Sequence, residues 1–140
     1  MMKSNIKATL DADIQLVWDS VTSLENYAWR SDLSGIRVLA PKKKFVEKTT
    51  PDGELITCTI TAFEPLHRYE LDIESDKMKG RFTGLFASAG AKTEIDFTED
   101  VVEKSAGMKP FVEKRLKNKQ ETYLRDLTQY LEIKKSQFKK

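Results

Sequence analysis

Ile6, Ala8 and Leu10 alternate with Lys7 and Thr9 in "IKATLDA", the period-two pattern of a strand with one buried face. The period then changes. Ile14, Val17, Trp18, Val21 and Leu24 recur at three- and four-residue steps, the apolar stripe of a helix. Asp11 or Asp13 precedes the stripe, where a short carboxylate accepts hydrogen bonds from the unpaired N–H groups of a helix start. "SLENYAW" reads as a second short helix or a turn, and "SGIRVLA" opens a new strand around Gly35.

Strand then follows strand. "KKFVEKT" runs into "PDG", a turn signal because proline fixes one dihedral and glycine tolerates the other. "ELITCTITAFE" and "RYELDIE" flank "PLH", while "MKGRFTGLFAS" and "KTEIDFTEDVV" flank "AGA". No helical pattern separates these runs, so they predict an antiparallel meander. After Gly107 the residues Phe111, Val112, Leu116, Tyr123, Leu124, Leu127, Tyr130 and Leu131 mark a helix of roughly 25 residues. Lys119 and Gln120 interrupt its stripe, and Glu113/Lys117 and Glu121/Arg125 support its exposed side. The predicted class is α+β: a strand, two short helices, six further antiparallel strands and a long C-terminal helix. A curved sheet with one bare face needs a cover, and only that helix is long enough.

Composition narrows the class. Of 140 residues 39% are hydrophobic and 33% charged, which excludes a disordered chain and a membrane protein. The net charge of +2 is too small to argue for nucleic acid. The N-terminus lacks the apolar core of a signal peptide, and no run approaches the roughly 18 apolar residues of a membrane span. A cytoplasmic protein is expected. Cys58 is the only cysteine, so an intramolecular disulfide is excluded; with His67 as the only histidine, no protein-built metal site is expected. No cofactor is called for. A single domain is expected over 1–140, with a core over 5–133 and a basic tail over 134–140.

"ATLDADIQLVWDSVTSLENYAWRSDL", "ITAFEPLHRYEL" and the terminal hairpin with its long helix resemble the START-like superfamily, also called SRPBCC, which contains the polyketide cyclase/dehydrase and lipid-transport proteins. The resemblance runs from Ile6 to about Leu131 and rests on element order and on Val17, Trp18, Tyr27, Trp29, Pro65 and Tyr69. It includes no catalytic signature. Asp13 stands where members usually carry proline, and both suit a helix start. The resemblance implies a helix-grip fold, a curved seven-stranded antiparallel sheet wrapped around the C-terminal helix with a hydrophobic cavity between. It also implies binding of a lipid, sterol or polyketide-like molecule, a cyclase or dehydrase activity, or a protein-interaction role.

Alternation assigns the cavity wall. Tyr69, Leu71 and Ile73 face inward, as do Thr93, Ile95 and Phe97, and Met78, Gly80, Phe82, Gly84 and Phe86. Ile56, Cys58 and Ile60 are placed inside on their strand. Glycines among the phenylalanines leave gaps between rings or allow the sheet to bend. Trp29, Arg30, Cys58, Tyr69, Phe82, Phe86, Phe97, Tyr123 and Leu127 form the expected ligand-binding set. Trp29 either plugs the base of the grip or forms its entrance. Arg30 and Asp32 are read as a local surface pair, with Arg30 becoming an anion grip if it turns inward.

No catalytic residue is assigned. His67 sits in a hairpin corner, and a buried Cys58 thiol has its pKa raised rather than lowered. Glu47, Tyr69 and Tyr123 are the groups an enzyme would need in the cavity. The lysines of the last helix are interleaved with Glu113, Glu121, Asp126 and Glu132, which favours a solvated face over a nucleic-acid surface. Binding of a small hydrophobic molecule ranks first, a cyclase- or dehydrase-like enzyme in the same pocket second, and a protein-interaction module third.

Overall fold

Strand β1, Met2–Leu10, hydrogen-bonds antiparallel to the last strand rather than to its neighbour in sequence, with Met2 opposite Val101 and Leu10 opposite Thr93. The computed structural model describes residues 2–50 and 53–138. Helix α1, Ile14–Thr22, follows, and of the two candidate caps it is Asp13 that accepts from Leu16 N at 3.0 Å. Six strands come next: β2 Leu33–Ala40, β3 Lys44–Thr49, β4 Leu55–Glu64, β5 Arg68–Glu74, β6 Met78–Ala89 and β7 Lys92–Glu103. Helix α2, Lys109–Phe138, closes the order. The sheet runs β1-β7-β6-β5-β4-β3-β2, the helix-grip arrangement expected from the sequence.

The second short helix does not form. Ser23 leaves α1 in an extended conformation, its N–H still donating to Asp19 O at 3.1 Å. Its hydroxyl then accepts from Asn26 N at 3.0 Å, and Arg30 N donates to Tyr27 O at 2.9 Å. These side-chain and turn bonds satisfy the backbone locally, so "SLENYAW" is a chain of turns.

The hairpin corners are steep. Leu66 adopts φ 68°, an uncommon value for a side chain of its size, at the "PLH" connection, and Gly90 adopts φ 67° in "AGA". The expected "PDG" turn falls mostly on Pro51 and Asp52, which lie outside the described residues, as do Lys139 and Lys140 of the basic tail. Lys134 and Lys135 belong to α2; Lys135 Nζ pairs with Asp11 at 2.7 Å.

The core lies between the concave face of the sheet and the two helices. Trp18 of α1 packs edge-on against Phe63, Tyr69 and Phe86, at 5.4, 6.2 and 4.9 Å between ring centroids. Val112, Leu116, Leu127 and Leu131 bury one face of α2. Gly80 marks a close approach of β6 to β7: a Cβ there would fall on the Asp100 carbonyl oxygen and within 2.7 Å of Val101 Cα. Gly84 does not leave the gap expected of it, because the Phe82 and Phe97 rings already close over its position.

Candidate functional site

Alternation on β7 buries Thr93, Ile95, Phe97, Glu99 and Val101 along one face, and on β3 it buries Phe45, Glu47 and Thr49. Each strand therefore sends one carboxylate inward. On α2, Lys119, Gln120 and Tyr123 fall on the inward side between Leu116 and Leu127, so the apparent interruption of the stripe is the polar part of an interior face. Strands, the end of α1, the loop that follows it and α2 together line a cavity of about 70 Å³. Ile6, Leu24, Ile36, Phe45, Leu71 and Ile73 supply much of its apolar wall. Arg30, Glu47, Cys58, Glu99, Lys119 and Gln120 supply its polar side.

Of the nine expected ligand-binding residues, Arg30, Cys58, Tyr69, Phe82, Phe97 and Tyr123 line this cavity. Trp29, Phe86 and Leu127 do not line it. Phe86 belongs to the core under Trp18, and Leu127 is fully buried within α2 packing. Trp29 lies against α2, stacked on Tyr130 at 5.5 Å and edge-on to the cavity residue Tyr123 at 5.4 Å. Thr93 lies away from the cavity and donates to Ala12 O at 2.8 Å.

Arg30 is not a surface residue. Its side chain is 11% exposed, and all of its guanidinium nitrogens are engaged. Nε and Nη2 donate to the two oxygens of Asp32 at 3.2 and 2.9 Å, and Nη1 donates to Glu47 Oε2 at 2.9 Å. The Tyr123 ring lies against the same group, 4.9 Å from centroid to Cζ. Burial opposes the charge, but Glu47 and Asp32 more than offset it, and the pKa of Arg30 rises. Asp32 and Glu47 thus take three of its five N–H donors and neutralise its charge, which weakens its pull on an anion.

Lys119 and Glu99 are less complete. Lys119 Nζ stands 3.5 Å from Glu99 Oε1 and makes no hydrogen bond among the described residues. Burial works against the ammonium, with Glu99 and then Glu47 raising its pKa above the usual lysine value. Glu99 is 6% exposed, and its Oε2 is buried without a hydrogen-bond partner. Gln120, by contrast, is tied to β1, accepting from Ser4 Oγ at 2.5 Å and donating to Ser4 O at 3.1 Å. Burial raises the pKa of the Cys58 thiol and of the Tyr69 and Tyr123 phenols, so these three are neutral near pH 7. Neither phenol makes a hydrogen bond among the described residues.

The loop over 23–32 is clasped to α2. Asn26 Nδ2 donates to Tyr130 OH at 2.7 Å, and Ser31 donates to Asp126 Oδ2 from its N–H at 2.8 Å and its hydroxyl at 2.7 Å. This clasp carries Arg30 into the cavity wall. His67 stays in its hairpin corner, exposed, its carbonyl accepting from Phe86 N at 3.0 Å.

Residues 1–132 match the family model described as polyketide cyclase / dehydrase and lipid transport. No curated protein sequence matches the chain. Among solved structures, a START superfamily protein from Mycobacterium smegmatis superposes with a TM-score of 0.83 at 15% identity, covering 94% of this chain and 98% of that one. A conserved protein from Geobacillus kaustophilus gives 0.80 at 9% identity, over 93% and 95%. The Zhui aromatase/cyclase from Streptomyces gives 0.79 at 14% identity, over 93% of each chain. At these identities the likeness is one of fold. Among the described residues, no helix is long and apolar enough to cross a membrane.

Proposed function

Because the chain belongs to the polyketide cyclase / dehydrase and lipid transport family, we propose that it binds a compact, largely apolar small molecule between its sheet and α2. The observation that carries this reading is the cavity itself, walled by Tyr69, Phe82, Phe97 and Tyr123 with a polar cluster along one side. Its size restricts the guest. Sites for drug-sized ligands run from roughly 300 Å³ upward, so a cavity of about 70 Å³ suits a single ring or short chain unless the walls part.

Holding the molecule is favoured over transforming it. Glu47 is committed to Arg30, and Cys58, Tyr69 and Tyr123 keep their protons at neutral pH, which leaves them weak acids and no bases. The second reading, an enzyme of the cyclase or dehydrase kind, is supported by Glu47, Tyr69 and Tyr123 all lining the cavity. Mass spectrometry of an organic extract of the purified protein tests the first reading. A stoichiometric small molecule recovered unchanged after incubation at 37 °C is expected, and its addition to stripped protein should raise Tm. Conversion of that molecule to a product during incubation would favour the enzyme.

A further inference from the structure

The cavity's polar side contains one well-satisfied cation and one incomplete ion pair, and the difference between them constrains what the guest carries. Arg30 is bidentate to Asp32, bonded to Glu47 and covered by Tyr123. Lys119 is 3.5 Å from Glu99 without a hydrogen bond, and Glu99 Oε2 is buried with no donor. A buried carboxylate oxygen left unpaired costs free energy that any donor reaching it recovers.

We infer that the site selects a guest with a neutral hydroxyl, seated between Lys119 and Glu99. This rests on the binding reading above and adds the chemistry of the guest's polar end. A hydroxyl oxygen accepts from the Lys119 ammonium while its proton goes to the Glu99 carboxylate, so one group completes both halves of the pair. A carboxylate accepts from Lys119 but offers nothing to Glu99. It also meets an adverse field, since Arg30 and Lys119 stand against Asp32, Glu47 and Glu99, leaving one formal negative charge over. A hydrocarbon leaves the pair as it is.

Three probes with one ring each separate these cases: benzyl alcohol, benzoate and toluene, titrated into the protein at neutral pH and followed by NMR shifts of cavity residues. Benzyl alcohol is expected to bind at least about tenfold more tightly than benzoate, as a hydrogen bond to a charged group allows. Glu99→Gln and Lys119→Met should each remove most of benzyl alcohol's advantage over toluene, read as the ratio of the two affinities within each variant. Benzoate binding as tightly as the alcohol, or variants that keep the alcohol's advantage, would overturn the hydroxyl site while leaving the cavity reading intact. Failure of all three probes to bind would overturn both. If a variant does not fold, the ranking of the three probes on the unaltered protein decides.

Discussion

Cys58 is 1% exposed on β4, and burial lifts its thiol pKa above the ordinary value of about 9. An acid whose pKa is higher in the folded chain keeps its proton there while the unfolded chain loses it, so stability falls as pH rises past the unfolded value. One such group costs about 1.4 kcal/mol by about pH 10. Urea unfolding followed from about pH 8 to about pH 10 should show the unaltered protein losing ~1 kcal/mol more than Cys58→Ala. Parallel curves would mean that the thiol is not shielded. The inward set on β5 and β6 was legible because alternation is a local signal. Glu99 obeys the same alternation, lying two residues from Phe97 and from Val101, but a rule that sends charges outward passes over it. Arg30 is different: it lies in a connection with no period, and one of its partners, Glu47, is on another element, so nothing near it in the chain announces its burial.

At the scale of elements, the meander and the long helix were legible because each strand and turn carries its own pattern. The second short helix was not, because Ser23 and Asn26 divert the backbone into turns where the apolar spacing still suggests a helix. Packing between strands was legible only in part. The glycines of β6 were expected to leave space or allow bending, and Gly80 instead admits β7 to close range. Gly80→Ala is expected to destabilise the fold by ~3 kcal/mol, since the obstacle is backbone that has no room to shift. Gly84→Ala should cost less than Gly80→Ala, because it meets only ring edges at 3.2–3.3 Å. Thermal unfolding of the two variants side by side checks the ranking, and equal losses would contradict it.

Across the whole molecule, loop, sheet and helix meet at Asp126 and Arg30. Ser31 bonded to Asp126 holds the 23–32 loop on α2, and Arg30 in that loop bonds to Glu47 of β3. One wall of the cavity is therefore held by a tie between elements far apart in sequence. Asp126→Ala leaves the Ser31 N–H and hydroxyl without their acceptor and should cost ~2 kcal/mol. Hydrogen exchange is expected to accelerate over 23–32 while β6 and β7 stay protected. Uniform acceleration throughout the chain would show global loosening instead of a released clasp.

The pairing of β1 with β7 also governs how this chain comes to be folded. Met2 sits opposite Val101, so the first strand made is among the last to find its place. During synthesis, at roughly 5–20 residues per second, β1 waits several seconds with an apolar face uncovered before its partner strand exists. Closing so long a loop also carries an entropic cost ahead of any reward from contact, which sets such topologies among the slower folders. The nascent chain thus exposes an unpaired edge when it is least able to protect it. The charged and polar residues Lys3, Asn5, Lys7 and Thr9 along that strand are well placed to keep it from pairing with a stranger.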